Sequence, residues 1–125
     1  MNIQDYFASV ERSLRSNPLI VRLENFLCIA SNDFNGLLRC RAHFWDGSFL
    51  DIYETVSTEP GYPLRIHYAY TYIREHLVFR YDNAPHHPEV ETYPHHKHIG
   101  PSEEVAPARP PTLSSVLAEI ANYLR

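Results

Sequence analysis

Residues 83–111 hold seven of the chain's ten prolines: Pro85, Pro88, Pro94, Pro101, Pro107, Pro110 and Pro111. Proline fixes φ and carries no N–H, so this stretch is excluded from helix interiors and central strands. It sustains neither the helical nor the strand period, and it carries five of the eight histidines. A loop of this length inside a small domain is functional or disordered. The regular structure is therefore sought in residues 1–82 and 112–125.

Ile3, Tyr6, Phe7, Val10 and Leu14 recur at helical spacing, with Gln4, Glu11, Arg12 and Arg15 outside the stripe, which predicts a helix over 2–16. Asn17-Pro18 ends it, because the residue before proline avoids the α region. Arg12, Arg15 and Glu24 read as surface charges. From Leu19 to Asp82 the pattern turns to period two, and turn residues divide it into strands over 19–31, 37–44, 48–56, 64–73 and 76–82.

Register can be tested at Asp46-Gly47. A two-residue loop there pairs Arg41 with Ile52 and mixes polar with apolar on both faces. A three-residue loop with Gly47 left-handed pairs Arg41 with Asp51, Ala42 with Leu50 and Cys40 with Ile52, and sorts the faces cleanly. A tight turn at Arg74-Glu75 pairs Tyr72 with Leu77, Tyr70 with Phe79 and Tyr68 with Tyr81. It sets the tyrosines on the core face and His67 opposite Asp82. Glu54 reads as closing the apolar end of its strand. Thr112 or Ser114 caps a last helix over 112–125, with Leu113, Val116, Leu117, Ile120 and Leu124 as its stripe. The expectation is a single α+β domain over 1–125. Its two layers are a five-stranded antiparallel meander over 19–82 and the N-terminal and C-terminal helices, with a long His/Pro-rich loop at 83–111.

With 125 residues, 44% of them hydrophobic, the chain can build one core without disulfides or a structural metal. No apolar run approaches the ~18 residues that read as a membrane span. Met1–Asp5 lacks the basic and apolar stretches of a secretory signal. Cys28 and Cys40 form no C-x-x-C, so the expected compartment is a reducing cytoplasm. The net charge of −4 argues against a bulk nucleic-acid coat protein while leaving room for a local basic site.

The chemistry is concentrated in Tyr81-Asp82-Asn83-Ala84-Pro85-His86-His87-Pro88 and Tyr93-Pro94-His95-His96-Lys97-His98-Ile99-Gly100. One reading is a solvated surface loop. A second is a metal site, with His86, His87, His95, His96 and His98 as donors to a divalent ion such as Zn²⁺. Neither H-E-x-x-H nor C-x-x-C supports it. A third is metal-free acid–base cleavage of RNA, which needs a base for the 2′-OH, an acid for the leaving oxygen and a cation for the phosphorane charge. His95 or His96 would be the base, His86 or His87 the acid, and Lys97, Arg80 or Arg41 the cation. The same residues can also bind phosphate without chemistry. Arg39, Arg41, His43, Arg65, His67 and Arg80 fall on polar strand faces. Such arginines are commonly solvated, and Tyr68, Tyr70 and Tyr72 fit a core face better than a base-stacking platform. His67 opposite Asp82 stands out, since a carboxylate fixes an imidazole tautomer.

The string Arg80-Tyr81-Asp82-Asn83-Ala84-Pro85-His86-His87-Pro88, followed by Pro94-His95-His96-Lys97-His98, resembles the TumE-type family of small toxins from prokaryotic type II toxin–antitoxin loci. The wider layout is similar too: an N-terminal helix, an Asp-Gly hairpin, a tyrosine-rich strand, the histidine segment and a terminal Pro-Pro-Thr-Leu helix. The resemblance implies a cytoplasmic toxin held inactive by a cognate antitoxin, often a DNA-binding protein encoded alongside. It implies Asp82, Asn83, His86, His87, His95, His96, Lys97 and His98 as the site. By analogy with other small toxins the expected activity is metal-independent ribonuclease action without a cofactor. Arg80, Asp82, Asn83, Arg41 and His67 would then hold the RNA. The alternative is a non-catalytic histidine-rich module that binds a divalent metal or a protein partner.

Overall fold

Helix α1 (Ile3–Ser16) begins at a reciprocal cap: Asp5 N–H donates to the Asn2 side chain at 2.9 Å and Asn2 N–H donates to Asp5 Oδ2 at 3.1 Å. Ile3, Tyr6, Phe7, Val10 and Leu14 are its buried residues, the stripe expected from their spacing. The helix stops at Asn17, which is extended, one residue before Pro18. The structure is a computed structural model and describes residues 1–124.

Seven strands follow in simple meander order, each antiparallel to the next: β1 (Ile20–Ala30), β2 (Asn35–Phe44), β3 (Phe49–Ser57), β4 (Leu64–Ile73), β5 (Leu77–Asp82), β6 (His96–Ile99) and β7 (Glu104–Pro107). Helix α2 (Leu113–Ala121) closes the fold, capped by Thr112 with Ser115. It is shorter than the expected 112–125: Asn122 is its C-cap, residues 123–124 lie beyond that cap, and Arg125 lies outside the described residues.

The β2–β3 hairpin has the register that face-sorting demands: Arg41 opposite Asp51, Ala42 opposite Leu50, Cys40 opposite Ile52. Its loop is Trp45-Asp46-Gly47, with Gly47 at φ +87° and Phe44 N–H donating to Ser48 O at 2.9 Å. The β4–β5 hairpin corrects the expectation. Tyr72 faces Phe79, Tyr70 faces Tyr81 and Ala69 faces Asp82, two residues from the expected pairing. Arg74-Glu75-His76 form the loop, and an irregularity between Tyr72 and Ile73 absorbs the offset. A slip of two leaves every side chain on its expected face, so the tyrosines remain in the core. His67, however, faces Thr55 of β3 rather than Asp82.

The sheet has seven strands, not five, and segment 83–111 is not one long loop. β6 and β7 both lie inside it. The prolines flank these strands instead of interrupting them. Pro94 precedes β6, Pro101 sits in the β6–β7 turn, and Pro107 ends the edge strand β7, where a missing donor costs no ladder bond.

Both helices pack on one face of the sheet. Ile3, Phe7, Leu14, Leu38, Leu50, Ile52, Tyr70, Tyr72, Phe79, Val116 and Ile120 form the heart of one core. Gly36 makes room for α1: a Cβ there would sit 2.8 Å from the Phe7 ring and 2.6 Å from Ile29 O. The opposite face of β3 to β6 carries no helix among the described residues, and the candidate site lies on it. Among the described residues no helix is long and apolar enough to cross a membrane.

Candidate functional site

Strand pleating sorts the histidine segment between the two faces. β6 pairs with β5 so that His96 faces Asp82 and His98 faces Arg80, all four on the open face. Lys97, between the two histidines, projects to the helix side. His95 also turns to that side, with Nδ1 3.0 Å from Tyr68 Oη and its ring stacked on Tyr68 at 5.9 Å between centroids.

On the open face three imidazoles converge. The ring centroids of His96 and His98 are 4.9 Å apart, and the His87 ring, delivered by the segment after β5, lies 5.0 Å and 5.5 Å from them. His96 Nε2 is 3.1 Å from His98 Nε2 and 2.9 Å from Asp82 Oδ1, and His98 Nε2 is 3.5 Å from Asp82 Oδ2. His96, His98 and Asp82 are buried, at 2%, 7% and 6% exposure, while His87 is half-buried. These groups form the floor of a concave cavity of about 450 Å³ whose rim includes His67, His86, Tyr53 and Arg80.

Asp82, His96 and His87 are each held from behind. Arg80 Nε donates to Asp82 Oδ2 at 3.0 Å, and Ala84 N–H donates to Asp82 Oδ1 at 3.0 Å. His96 Nδ1 lies 2.9 Å from Pro94 O, and His87 Nδ1 lies 3.2 Å from Glu89 Oε1. Among the described residues His98 Nδ1 is buried with no hydrogen-bond partner. Burial, and then the Arg80 guanidinium, hold the His98 imidazole below the ordinary histidine pKa. Burial and the Arg65 charge do the same to His95 on the other side of the sheet.

Of the residues singled out from the sequence, the structure brings His86, His87, His96, His98, Asp82, Asn83, Arg80 and His67 to one cavity. Asn83 is part of its wall but its amide is committed. Oδ1 accepts from Tyr68 N–H at 3.0 Å and Nδ2 donates to Ile66 O at 2.9 Å, which prolongs the β4–β5 ladder. The structure does not bring Lys97, His95 or Arg41 there. Lys97 Nζ lies 2.7 Å from Glu119 Oε2 of α2. Arg41 makes a two-toothed pair with Asp51, at 2.7 Å and 3.1 Å, and covers the Phe49 ring.

Two acidic residues escaped the sequence reading. Glu89 backs His87, and its position two residues on from a histidine was the available signal. Glu54 does not close a strand end. It sits within β3, 2% exposed, and accepts from the hydroxyls of Tyr6 and Tyr70. The signal was its core-face register beside the tyrosines of β4.

No curated protein and no solved structure matches the chain. A family model described as Toxin TumE matches residues 11–124, which takes in both helices in part or whole, the entire sheet and the histidine site. The chain belongs to the TumE toxin family.

Proposed function

We propose that this toxin acts on RNA, that the open-face cavity is where the phosphodiester reacts, and that a cognate antitoxin neutralises it. The observation that carries the reading is the convergence of His87, His96, His98 and Asp82 on the floor of a cavity edged by Arg80. Family membership supports the toxin role and, with it, an antitoxin partner.

The chemistry proposed is transfer of the phosphoryl group to the neighbouring 2′-oxygen. The O2′–P bond forms as the 2′-OH proton leaves to a base, and the P–O5′ bond breaks as an acid delivers a proton to O5′. The entering and leaving oxygens lie on opposite sides of phosphorus, so base and acid must straddle it. His96 and His98, with Nε2 atoms 3.1 Å apart, leave no space between them for a phosphate and act as one unit on one side. His86, exposed at the rim, is the imidazole available for the other. Arg80 provides positive charge beside the phosphate oxygens.

The test is incubation of the purified chain with labelled RNA and with DNA of the same sequence, each with and without added divalent metal. The expected result is cleavage of RNA alone, ending in 2′,3′-cyclic phosphates, and lost in His98→Ala. Intact RNA under every condition, from a chain that still arrests growth, would place its target elsewhere.

A further inference from the structure

We infer that His87, His96 and His98, with the Asp82 carboxylate, form a binding site for one divalent first-row transition-metal ion, with Zn²⁺ the first to test. As a binding site this stands on side-chain geometry alone; as the reactive centre of the toxin it rests on the RNA reading above, with His96 and His98 then ligands of the ion and no longer carriers of a proton.

The donor spacing of His96, His98 and Asp82 is that of ligands around one ion. Zinc holds nitrogen and oxygen ligands at about 2.0–2.2 Å, which sets neighbouring donors of a tetrahedron roughly 3.3 Å apart. Here the separations are 3.1 Å between the two Nε2 atoms, 2.9 Å from His96 Nε2 to Asp82 Oδ1 and 3.5 Å from His98 Nε2 to Asp82 Oδ2. His87 supplies the third imidazole, with all three histidine donor atoms within 4.8 Å of one another. It is half-buried and carried by the segment after β5, so it is the ligand that closes onto an ion held by the other three groups.

The hydrogen-bond pattern suits positive charge at that point, whether a proton on His96 Nε2 or a metal ion. Pro94 O can only accept, so the proton it receives is on His96 Nδ1, and in the neutral ring Nε2 presents a lone pair. That lone pair faces a carboxylate oxygen at 2.9 Å and a second imidazole nitrogen at 3.1 Å. A proton on His96 Nε2 answers the Asp82 contact alone, whereas a metal ion among them engages all three groups at once.

The backing of His96, His87 and Asp82 is also what metal ligands have. A ligating histidine directs its far nitrogen to a carbonyl or carboxylate, which fixes the ring and its tautomer. His96 has Pro94 O in that position and His87 has Glu89. Asp82 is fixed by Arg80 and by Ala84 N–H. Three imidazoles with one carboxylate suit zinc, iron, nickel or copper, whereas magnesium and calcium take oxygen ligands. The cavity over this floor leaves room for water or a phosphate oxygen beside the ion.

The experiment uses the full chain with any tag removed, stripped with chelator and titrated with ZnCl₂, CoCl₂ and MgCl₂. Binding is read by calorimetry, by the visible bands of Co²⁺ and by melting temperature. One equivalent of Zn²⁺ or Co²⁺ is expected, with a higher melting temperature and no response to Mg²⁺. His87→Ala, at a half-buried position that tolerates truncation, is expected to weaken binding at least tenfold, and His98→Ala to abolish it. Glu89→Gln, which touches only the far nitrogen of His87, is expected to cost about tenfold. His76→Ala and His95→Ala are expected to bind as the wild type does. Zinc uptake equal in wild type, His87→Ala and folded His98→Ala would overturn the site, as would no uptake at all. Zinc bound at one equivalent by a chain that cuts no RNA keeps the site and removes the RNA reading. RNA cut by a chain that takes up no ion does the reverse.

Discussion

Lys97 Nζ lies 2.7 Å from Glu119 Oε2, an ion pair that ties β6 to α2 on the helix side of the sheet. Lys97 is the chain's only lysine. It stands between two site histidines in sequence and across the sheet from them in space. Its ammonium also lies 5.1 Å and 4.8 Å from the ring centroids of Phe79 and Tyr81. Burial works against the charge, but the bonds to Glu119 and Tyr81 outweigh it and raise the pKa above the ordinary lysine value. Lys97→Met is therefore expected to cost about 2 kcal/mol of stability, by loss of a charged hydrogen bond. Growth arrest per folded molecule should be unchanged. Urea denaturation beside a growth assay checks both; lost arrest at full stability would return Lys97 to the reactive centre.

The two faces make opposite demands on neighbouring histidines. His95 stacks on Tyr68 beneath the helices, while His98 closes the cavity floor. His95→Phe keeps the stacking and is expected to retain growth arrest. His98→Ala is expected to lower it by about a hundredfold or more, the scale of a lost acid–base or ligand group. A double substitution at His95 and His96 cannot separate these roles, because it alters both faces at once. Equal loss in both single variants would show that the helix side contributes to the chemistry.

Glu54 joins helix to sheet through charge rather than through apolar packing. Tyr6 of α1 and Tyr70 of β4 both donate to it, and Arg65 Nη1 donates to Tyr70 Oη at 2.9 Å and to Pro111 O at 2.5 Å. Burial, followed by the Glu54 charge, raises the pKa of both phenols. Glu54→Leu strands two buried hydroxyls and is expected to cost about 3 kcal/mol. Tyr6→Phe is expected to cost about 1 kcal/mol. A double-mutant cycle of the two should show strong coupling, and additive costs would mean that the bond contributes nothing net.

Legibility in the sequence followed the contrast between the two faces. α1, α2 and the β2–β3 hairpin could be read because apolar and polar residues alternate sharply, as at Leu50 and Asp51. β6 could not, because its buried face is His96 and His98, which read as polar, and its other face carries Lys97. Four residues, of which only Ile99 is apolar, carry no visible period. The proline density then masked β7, whose one proline lies where an edge strand tolerates it. The β4–β5 offset was hidden for a different reason: a slip of two preserves the faces, so side-chain pattern cannot detect it. The site was legible as a segment but not as a set. Only the β5–β6 register separates His96 and His98 from His95 and Lys97.

Cys40 gives the fold a measurable sensitivity to alkali. It is 6% exposed on the core face of β2, and burial, with Cys28, Glu54 and Asp51 adding to it, pushes its thiol from 9.0 up to about 12. The folded chain thus keeps this proton to higher pH than the unfolded chain does. Raising the pH draws the proton from the unfolded state first and favours unfolding. The contribution is complete below about pH 9 and is lost as pH climbs toward 12, at about 1.4 kcal/mol for each pH unit between. Tyr68, raised by burial from 10.0 to about 12, adds a like loss that begins about one unit later, as do Tyr6 and Tyr70, which burial also raises. Cys40→Ala leaves a small cavity and lowers stability at every pH, so the informative quantity is slope and not level. Urea denaturation at intervals from pH 8 to 10.5 should show wild-type stability falling from about pH 9. In Cys40→Ala the fall should begin at the same pH, because burial also raises the Cys28 thiol from 9.0 to about 11, and should be shallower by one proton's worth. Identical slopes would mean that the thiol ionises as easily in the folded chain as in the unfolded one, and that water reaches the core beneath β2.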